Sequence, residues 1–125
     1  MPKPFRLIDR LCNFRYALAG LGVLLRTQHN AWVHAAATVA VVAAGLAFGL
    51  NAYEWLWIVL ALTLVWTAEA FNTALEFLAD AVTREQHPLI GRAKDVAAAA
   101  VLISACGAAI IGLIVLGPHL LRQLG

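Results

Sequence analysis

The chain has 125 residues, of which 62% are hydrophobic and 13% are charged, and its formal net charge is +2. Soluble domains average about 45–50% apolar and about 25% charged residues, and a chain this short could not bury so much apolar surface. The composition excludes an ordinary soluble domain and predicts one membrane domain over residues 1–125. The small net charge gives no reason to expect a nucleic-acid partner.

The first element, residues 5–27, is predicted to be an amphipathic helix on the membrane surface. Its large apolar residues recur three and four positions apart: Leu7, Leu11, Phe14, Leu18, Leu21 and Leu25. Arg6 and Arg10 lie on a different face. Basic amphipathic helices of this kind tend to lie in the membrane interface. The alternative is an ordinary core helix of a bundle.

Three apolar runs follow, and we place membrane spans at about residues 31–50, 53–76 and 96–117. About 20 apolar residues in helical conformation cross the hydrocarbon layer of a bilayer. The second run continues without a helix breaker, which predicts one long helix from about Tyr53 to about Ala81. The expected fold class is therefore an all-α membrane protein, with an N-terminal surface helix and three transmembrane helices.

Glycine and proline positions predict how these helices end and meet. A charged segment with Pro88 and Gly91 predicts a loop over residues 82–91, and Gly117–Pro118 is predicted to end the last span. Gly45 and Gly49 form a GxxxG pair, which predicts a close contact between helices.

The distribution of basic residues predicts the orientation of the chain in the membrane. Eight of the nine lysines and arginines lie before residue 31 or between residues 81 and 96. By the positive-inside rule, the N-terminus and the 82–95 loop face the cytoplasm.

Polar residues near the end of the second span form the candidate site. Four of them are separated by three, four and four positions: Glu69, Asn72, Glu76 and Asp80. This spacing places all four on one face of a helix. Beyond the loop come three charged residues that would face this stripe if the last two helices pack together: Arg92, Lys94 and Asp95.

Phosphoryl transfer needs residues of these types, namely carboxylates for Mg²⁺, a cation near the phosphates and a group that accepts the hydroxyl proton.

Other hypotheses stay open at this point. The cluster could be an interhelical ion network, Glu69 could couple proton movement in a small transporter, or the chain could be a non-catalytic membrane subunit. His29 and His34 are expected to be satisfied or interfacial residues and not metal ligands. No Walker A loop or protein-kinase loop is present.

The residues Glu69-Ala-Phe-Asn72-Thr-Ala-Leu-Glu76, then Asp80, then Gly91-Arg-Ala-Lys94-Asp95, resemble the bacterial family of integral-membrane diacylglycerol kinases, which includes undecaprenol kinases. The likeness covers nearly the whole chain. The stretch Asn13-Phe14-Arg15-Tyr16-Ala17, with Gly20-Leu21, resembles the undecaprenol-kinase branch in particular. We therefore prefer undecaprenol slightly over diacylglycerol as the acceptor.

The resemblance implies an ATP- and Mg²⁺-dependent lipid kinase in the bacterial inner membrane, assembled as a homotrimer with active sites shared between subunits. It implies Glu69 as the catalytic base and Glu76 as a Mg²⁺ ligand. It also implies a set of residues around the nucleotide: Tyr16, Asn72, Glu76, Asp80, Glu85, Gln86, His87, Lys94 and Asp95.

The N-terminal half departs from the family pattern. A glutamate that helps to hold the metal in the family is matched here by Gln28, whose amide oxygen can bind Mg²⁺ but brings no negative charge. A family arginine shortly after it is matched by Trp32, and Arg10 matches a basic N-terminal residue only loosely. Gln28 is therefore the second candidate metal ligand beside Glu76.

Overall fold

The computed structural model describes residues 1–125 and consists of four α-helices without strands. Their bounds are α1 Leu7–Thr27, α2 His29–Phe48, α3 Ala52–Val82 and α4 Pro88–Leu124. The last three are long and apolar enough to cross a membrane. The predicted fold class, an N-terminal helix followed by three candidate spans, is confirmed.

The turn between α2 and α3 is set by local capping residues. Gly49 takes the left-handed conformation, with φ of 67°, and ends α2, because glycine has no Cβ to strain there. Asn51 then begins α3: its side chain accepts a hydrogen bond from the Glu54 N–H, and the Glu54 carboxylate accepts one from the Asn51 N–H. This reciprocal capping box makes a tight reversal and sends α3 back along α2.

Helix α4 is longer than the predicted span at both ends. The helix begins at Pro88 and includes Gly91, so the loop is shorter than 82–91. Proline suits this first turn, because its missing N–H would have no helical partner there. At the other end, α4 continues through Gly117–Pro118 to Leu124. A proline inside a helix removes a hydrogen bond, but here residues beyond it are held by contacts with other helices.

His119 makes those contacts one residue after the proline. Its Nε2 lies 2.6 Å from Oε2 of Glu54 on α3. Its ring stacks on Phe48 of α2, with centroids 5.8 Å apart and an interplanar angle of 8°. This end of the bundle is therefore tied together across three helices, which favours continuation of α4 past Pro118.

The predicted GxxxG contact is half right. A Cβ added at Gly45 would lie 2.6 Å from Cη2 of Trp55, so Gly45 does allow α3 to approach α2 closely. Gly49 makes no such contact, and a Cβ there would meet nothing within 4 Å. Its function is the left-handed cap described above, which the GxxxG spacing alone could not reveal.

Helix α3 is the centre of the molecule: it packs most extensively against α4, then against α2, and lightly against α1. The apolar core is small and is built on Leu50, Ile58 and Val115. Only 11 of the 125 residues are buried, so most large apolar side chains remain on the outside of the helices. Such a surface suits lipid or further chains and not water.

Candidate functional site

The polar stripe on α3 runs from the interior to the surface. Glu69 is completely buried and Asn72 is 6% exposed, whereas Glu76 is half-buried and Asp80 is exposed. Successive members rise by about one helical turn, which moves each group further from the apolar bundle. The stripe therefore leads from a buried carboxylate to a water-facing one.

Glu69 is a buried carboxylate without a hydrogen bond. Neither of its oxygens has a partner, and the same holds for Oδ1 of Asn72 and Oγ1 of Thr73 beside it. Nε2 of His34, on α2, lies 3.4 Å from Oε2 of Glu69, which is within ion-pair distance but is not aligned as a hydrogen bond. Burying an unpaired polar group costs free energy, so these groups are candidates for contact with a substrate.

Two cavities meet at His34. One, of about 290 Å³, lies between α2, α3 and α4 and is lined by Asn30, His34, Asn72 and apolar residues of α2 and α4. The other, of about 720 Å³, runs between α2, α3 and α4 and is almost entirely apolar, from His34 at one end to Phe48 and Leu120 at the other. Polar groups thus stand at one end of a long apolar groove.

A third cleft, of about 540 Å³, opens at the outer end of the stripe, and we call it the Lys94 cleft after one of its lining residues. It is lined by five of the predicted nucleotide-binding residues, together with Thr83, Arg84 and neighbouring residues of α4. The five are Asp80, Glu85, Gln86, His87 and Lys94. The family resemblance implies that these residues surround one nucleotide, and the short connection from α3 to α4 brings the five to one cleft.

Lys94 and Asp80 form an ion pair in this cleft, with Nζ and Oδ1 2.7 Å apart. The prediction that charged residues of α4 face the stripe is confirmed for Lys94. Because the ammonium donates a hydrogen bond to it and attracts its charge, the pKa of Asp80 lies below its ordinary value. The same hydrogen bond raises the pKa of Lys94, with a further contribution from the charge of Glu76.

The directions of these pKa shifts determine the pH range over which the ion pair persists. Asp80 loses its charge only as the pH falls through its depressed pKa, and Lys94 loses its charge only as the pH rises through its raised pKa. The pair is therefore ionised throughout the neutral range. Both side chains are well exposed, so solvent screening makes the pair a weak contributor to stability.

Three other predicted site residues line none of these clefts within the single chain. Tyr16 is exposed on α1, and Asp95 is exposed on α4 and lines none of the clefts described. Gln28 connects α1 to α2, and its amide donates to Oγ1 of Thr27.

No group of three acidic, histidine or cysteine residues is close enough to hold a metal ion. Mg²⁺ is commonly held by one or two carboxylates plus substrate phosphates, and the half-buried carboxylate of Glu76 beside the Lys94 cleft fits that mode.

The sequence pattern did not predict that His34 lies beside Glu69, or that Trp66 and Thr38 support it. Trp66 Nε1 donates to Oγ1 of Thr38 over 2.9 Å, and that hydroxyl donates to the His34 carbonyl over 2.7 Å. His34 was expected to be merely satisfied or interfacial, yet it is the ionisable side chain nearest to Glu69. The signal was available: His34 is the only titratable group in the first apolar run, and an ionisable residue in a span usually has a partner.

Comparison with known proteins identifies the family. The family model described as prokaryotic diacylglycerol kinase matches residues 15–116. The chain belongs to the prokaryotic diacylglycerol kinase family. It is 39% identical over 108 residues to an undecaprenol kinase of Bacillus subtilis, a match that covers 86% of this chain and 88% of that protein.

Two diacylglycerol kinases of the family are also similar. The protein from Synechocystis is 41% identical over 112 residues, which cover 89% of this chain and 64% of the longer relative. The Escherichia coli protein is 45% identical over 56 residues, or 45% of this chain and 46% of the relative. The chain is thus a membrane lipid kinase of one of these two kinds, and the kinase hypothesis prevails over the transporter and the non-catalytic subunit.

Proposed function

We propose that the chain transfers the γ-phosphate of ATP to the hydroxyl of a membrane lipid alcohol, with Glu69 as the general base and with Mg²⁺–ATP held by Glu76. Undecaprenol is the preferred acceptor over diacylglycerol. In support, the match to the undecaprenol kinase covers most of both chains, whereas the matches to the diacylglycerol kinases cover smaller parts of those proteins.

The single observation that carries this proposal is the buried Glu69 carboxylate without a hydrogen bond, at the inner end of a stripe that leads to the Lys94 cleft. In the reaction, the acceptor hydroxyl gives its proton to Glu69 while its oxygen forms a bond to the γ-phosphorus. The bond from that phosphorus to the bridging oxygen breaks, and its electron pair leaves with ADP.

The apolar groove supports a lipid acceptor. It is bordered by His34 at the level of the polar cluster and by Phe48 and Leu120 at the far end. A lipid alcohol has a single polar end on a long apolar body. A body in lipid or in such a groove would leave the hydroxyl near the His34–Asn72 cavity, on the side where the polar groups of α3 lie.

The nucleotide would bind at the Lys94 cleft. Lys94 and Arg84 line it and can balance phosphate charge, while Asp80, Glu85, Gln86 and His87 offer contacts for the rest of the nucleotide. Glu76 lies between this cleft and Glu69 and would hold Mg²⁺, with Gln28 as a second candidate ligand. When bound, the metal supplies positive charge against the phosphate oxygens.

A homotrimer with shared active sites would complete the arrangement. Within one chain, Tyr16, Gln28 and Asp95 line none of the three clefts, and few residues are buried. Neighbouring subunits are the natural source of the missing contacts. With the 82–95 loop on the cytoplasmic side of the inner membrane, the nucleotide cleft would face cytoplasmic ATP.

The test is an acceptor assay on purified protein in lipid vesicles, with ATP labelled in the γ-phosphate. We expect label in undecaprenol or diacylglycerol, faster in undecaprenol, and loss of transfer when EDTA removes Mg²⁺, with recovery when Mg²⁺ is restored. Vesicles without added alcohol are the control. Transfer to neither alcohol by folded protein would contradict the proposed activity.

A further inference from the structure

We propose that His34 is a positioning residue for Glu69: its ring N–H holds Oε2 of the carboxylate and leaves Oε1 to take the proton of the acceptor hydroxyl. This inference rests on the proposed role of Glu69 as the base. It concerns a residue on another helix that does not itself take part in proton transfer.

The first support is the geometry between the two side chains. Nε2 of His34 lies 3.4 Å from Oε2 of Glu69, and no other ionisable side chain is within ion-pair distance of this carboxylate. The carboxylate is completely buried, and neither oxygen has a hydrogen bond. The distance between Nε2 and Oε2 is already within hydrogen-bond range and only the alignment is lacking, and catalytic hydrogen bonds are often poorly aligned before substrate binds.

The second support is that His34 is itself held in place. Its ring packs edge-on against Trp66, with centroids 6.2 Å apart and an interplanar angle of 65°. Trp66 Nε1 donates to the Thr38 hydroxyl, which donates to the His34 carbonyl. Trp66 lies one helical turn before Glu69 on α3, so the same packing that fixes the ring also fixes it relative to the carboxylate. Supported side chains of this kind orient a reacting group better than a free one.

The third support is the position of His34 relative to the cavities. It borders both the smaller cavity that contains Asn72 and the long apolar groove. A hydroxyl bound in either cavity would therefore lie beside this ring. Holding Oε2 from the α2 side therefore selects which carboxylate oxygen meets the substrate, which is the orientation effect that makes general-base catalysis efficient.

The test compares His34→Leu, which removes the donor, with His34→Gln, which keeps an N–H donor of similar reach but cannot carry a proton charge. We expect kcat of His34→Leu to fall on the order of 10- to 100-fold, with little change in the KM for Mg²⁺–ATP. His34→Gln should restore most of the turnover. A kcat of His34→Leu equal to that of the unmodified protein, or equal losses in the two variants, would overturn the proposal.

The chain supplies a matched control. His119 pairs with Glu54 at the opposite end of the bundle, so His119→Leu also removes a histidine from a histidine–glutamate contact. We expect this variant to lower the thermal midpoint while folded enzyme keeps its kcat. If His119→Leu lowers kcat as much as His34→Leu at equal folded fraction, the effect of His34 is structural and the proposal fails.

A double variant separates this inference from the proposed function. If His34 acts through Glu69, then His34→Leu should have no further effect on kcat in a Glu69→Gln background. A full additional loss in that background would overturn the positioning role while leaving Glu69 as the base. If Glu69→Gln alone keeps full turnover, the proposed function fails first, whatever His34 does.

Discussion

For single residues, the position of the α3 stripe was predictable. The sequence also indicated that His34, a titratable residue in an apolar span, needs a partner, but not that this partner is Glu69. The three- and four-residue spacing places Glu69, Asn72, Glu76 and Asp80 on one face whatever surrounds the helix. The approach of His34 to Glu69 depends on how two antiparallel helices align across a turn. That alignment is set by Gly49 and the capping box at Asn51, far from either side chain.

The Asp80–Lys94 pair leads to a prediction that separates stability from nucleotide binding. Because both side chains are well exposed, the variant Lys94→Met should leave the thermal midpoint nearly unchanged. Because Lys94 lines the proposed nucleotide cleft, the same variant should raise the KM for Mg²⁺–ATP. Steady-state kinetics and thermal unfolding in the same detergent measure the two effects.

Asp80→Asn serves as the comparison for that experiment, because it breaks the same ion pair but keeps the cation. It should raise the KM for Mg²⁺–ATP less than Lys94→Met does. A large fall of the thermal midpoint in both variants, without any change in KM, would show that the pair is structural and that the cleft does not bind the nucleotide phosphates.

At the scale of helices, the long α3 was predictable because no breaker interrupts it between Asn51 and Val82. The bounds of α4 were not, because proline and glycine signal different things in different contexts. Pro88 opens the helix and Pro118 is accommodated within it. Only the contact of His119 with Glu54 and Phe48, which comes from the tertiary fold, explains why α4 passes Pro118.

The close approach of α2 and α3 at Gly45 gives a stability prediction. A Cβ at this position would lie 2.6 Å from the Trp55 ring and 3.0 Å from a methyl of Leu50. Gly45→Ala should therefore overpack the contact and lower the free energy of unfolding by about 1–3 kcal/mol. Thermal or denaturant unfolding in detergent, followed by circular dichroism, measures this change.

Gly107→Ala is the matched control for that substitution. It also places a methyl group on a helical glycine of a span, but a Cβ at this position meets nothing within 4 Å. It should be neutral or slightly stabilising, because alanine is the better helix former. If Gly45→Ala proves as stable as Gly107→Ala, the two helices do not approach as closely as described.

For the whole molecule, composition alone was enough to predict a membrane protein, and the three candidate spans and the family support it. The complete site could not be derived in the same way. Within one chain, Tyr16, Gln28 and Asp95 line none of the three clefts, although Asp95 directly follows Lys94. Sequence periodicity describes one helix at a time, so it cannot show which residues a second or third copy would bring to a shared site.

Whether Glu69 is the base of this lipid kinase, as proposed, is decided by the turnover of Glu69→Gln in lipid vesicles. This variant should bind Mg²⁺–ATP with the Kd of the unmodified protein but lose roughly 10²- to 10⁴-fold in kcat, the usual contribution of a general base. Glu54→Gln, at the other end of the bundle, should keep the kcat of the folded enzyme. Normal turnover by folded Glu69→Gln would rule out Glu69 as the general base.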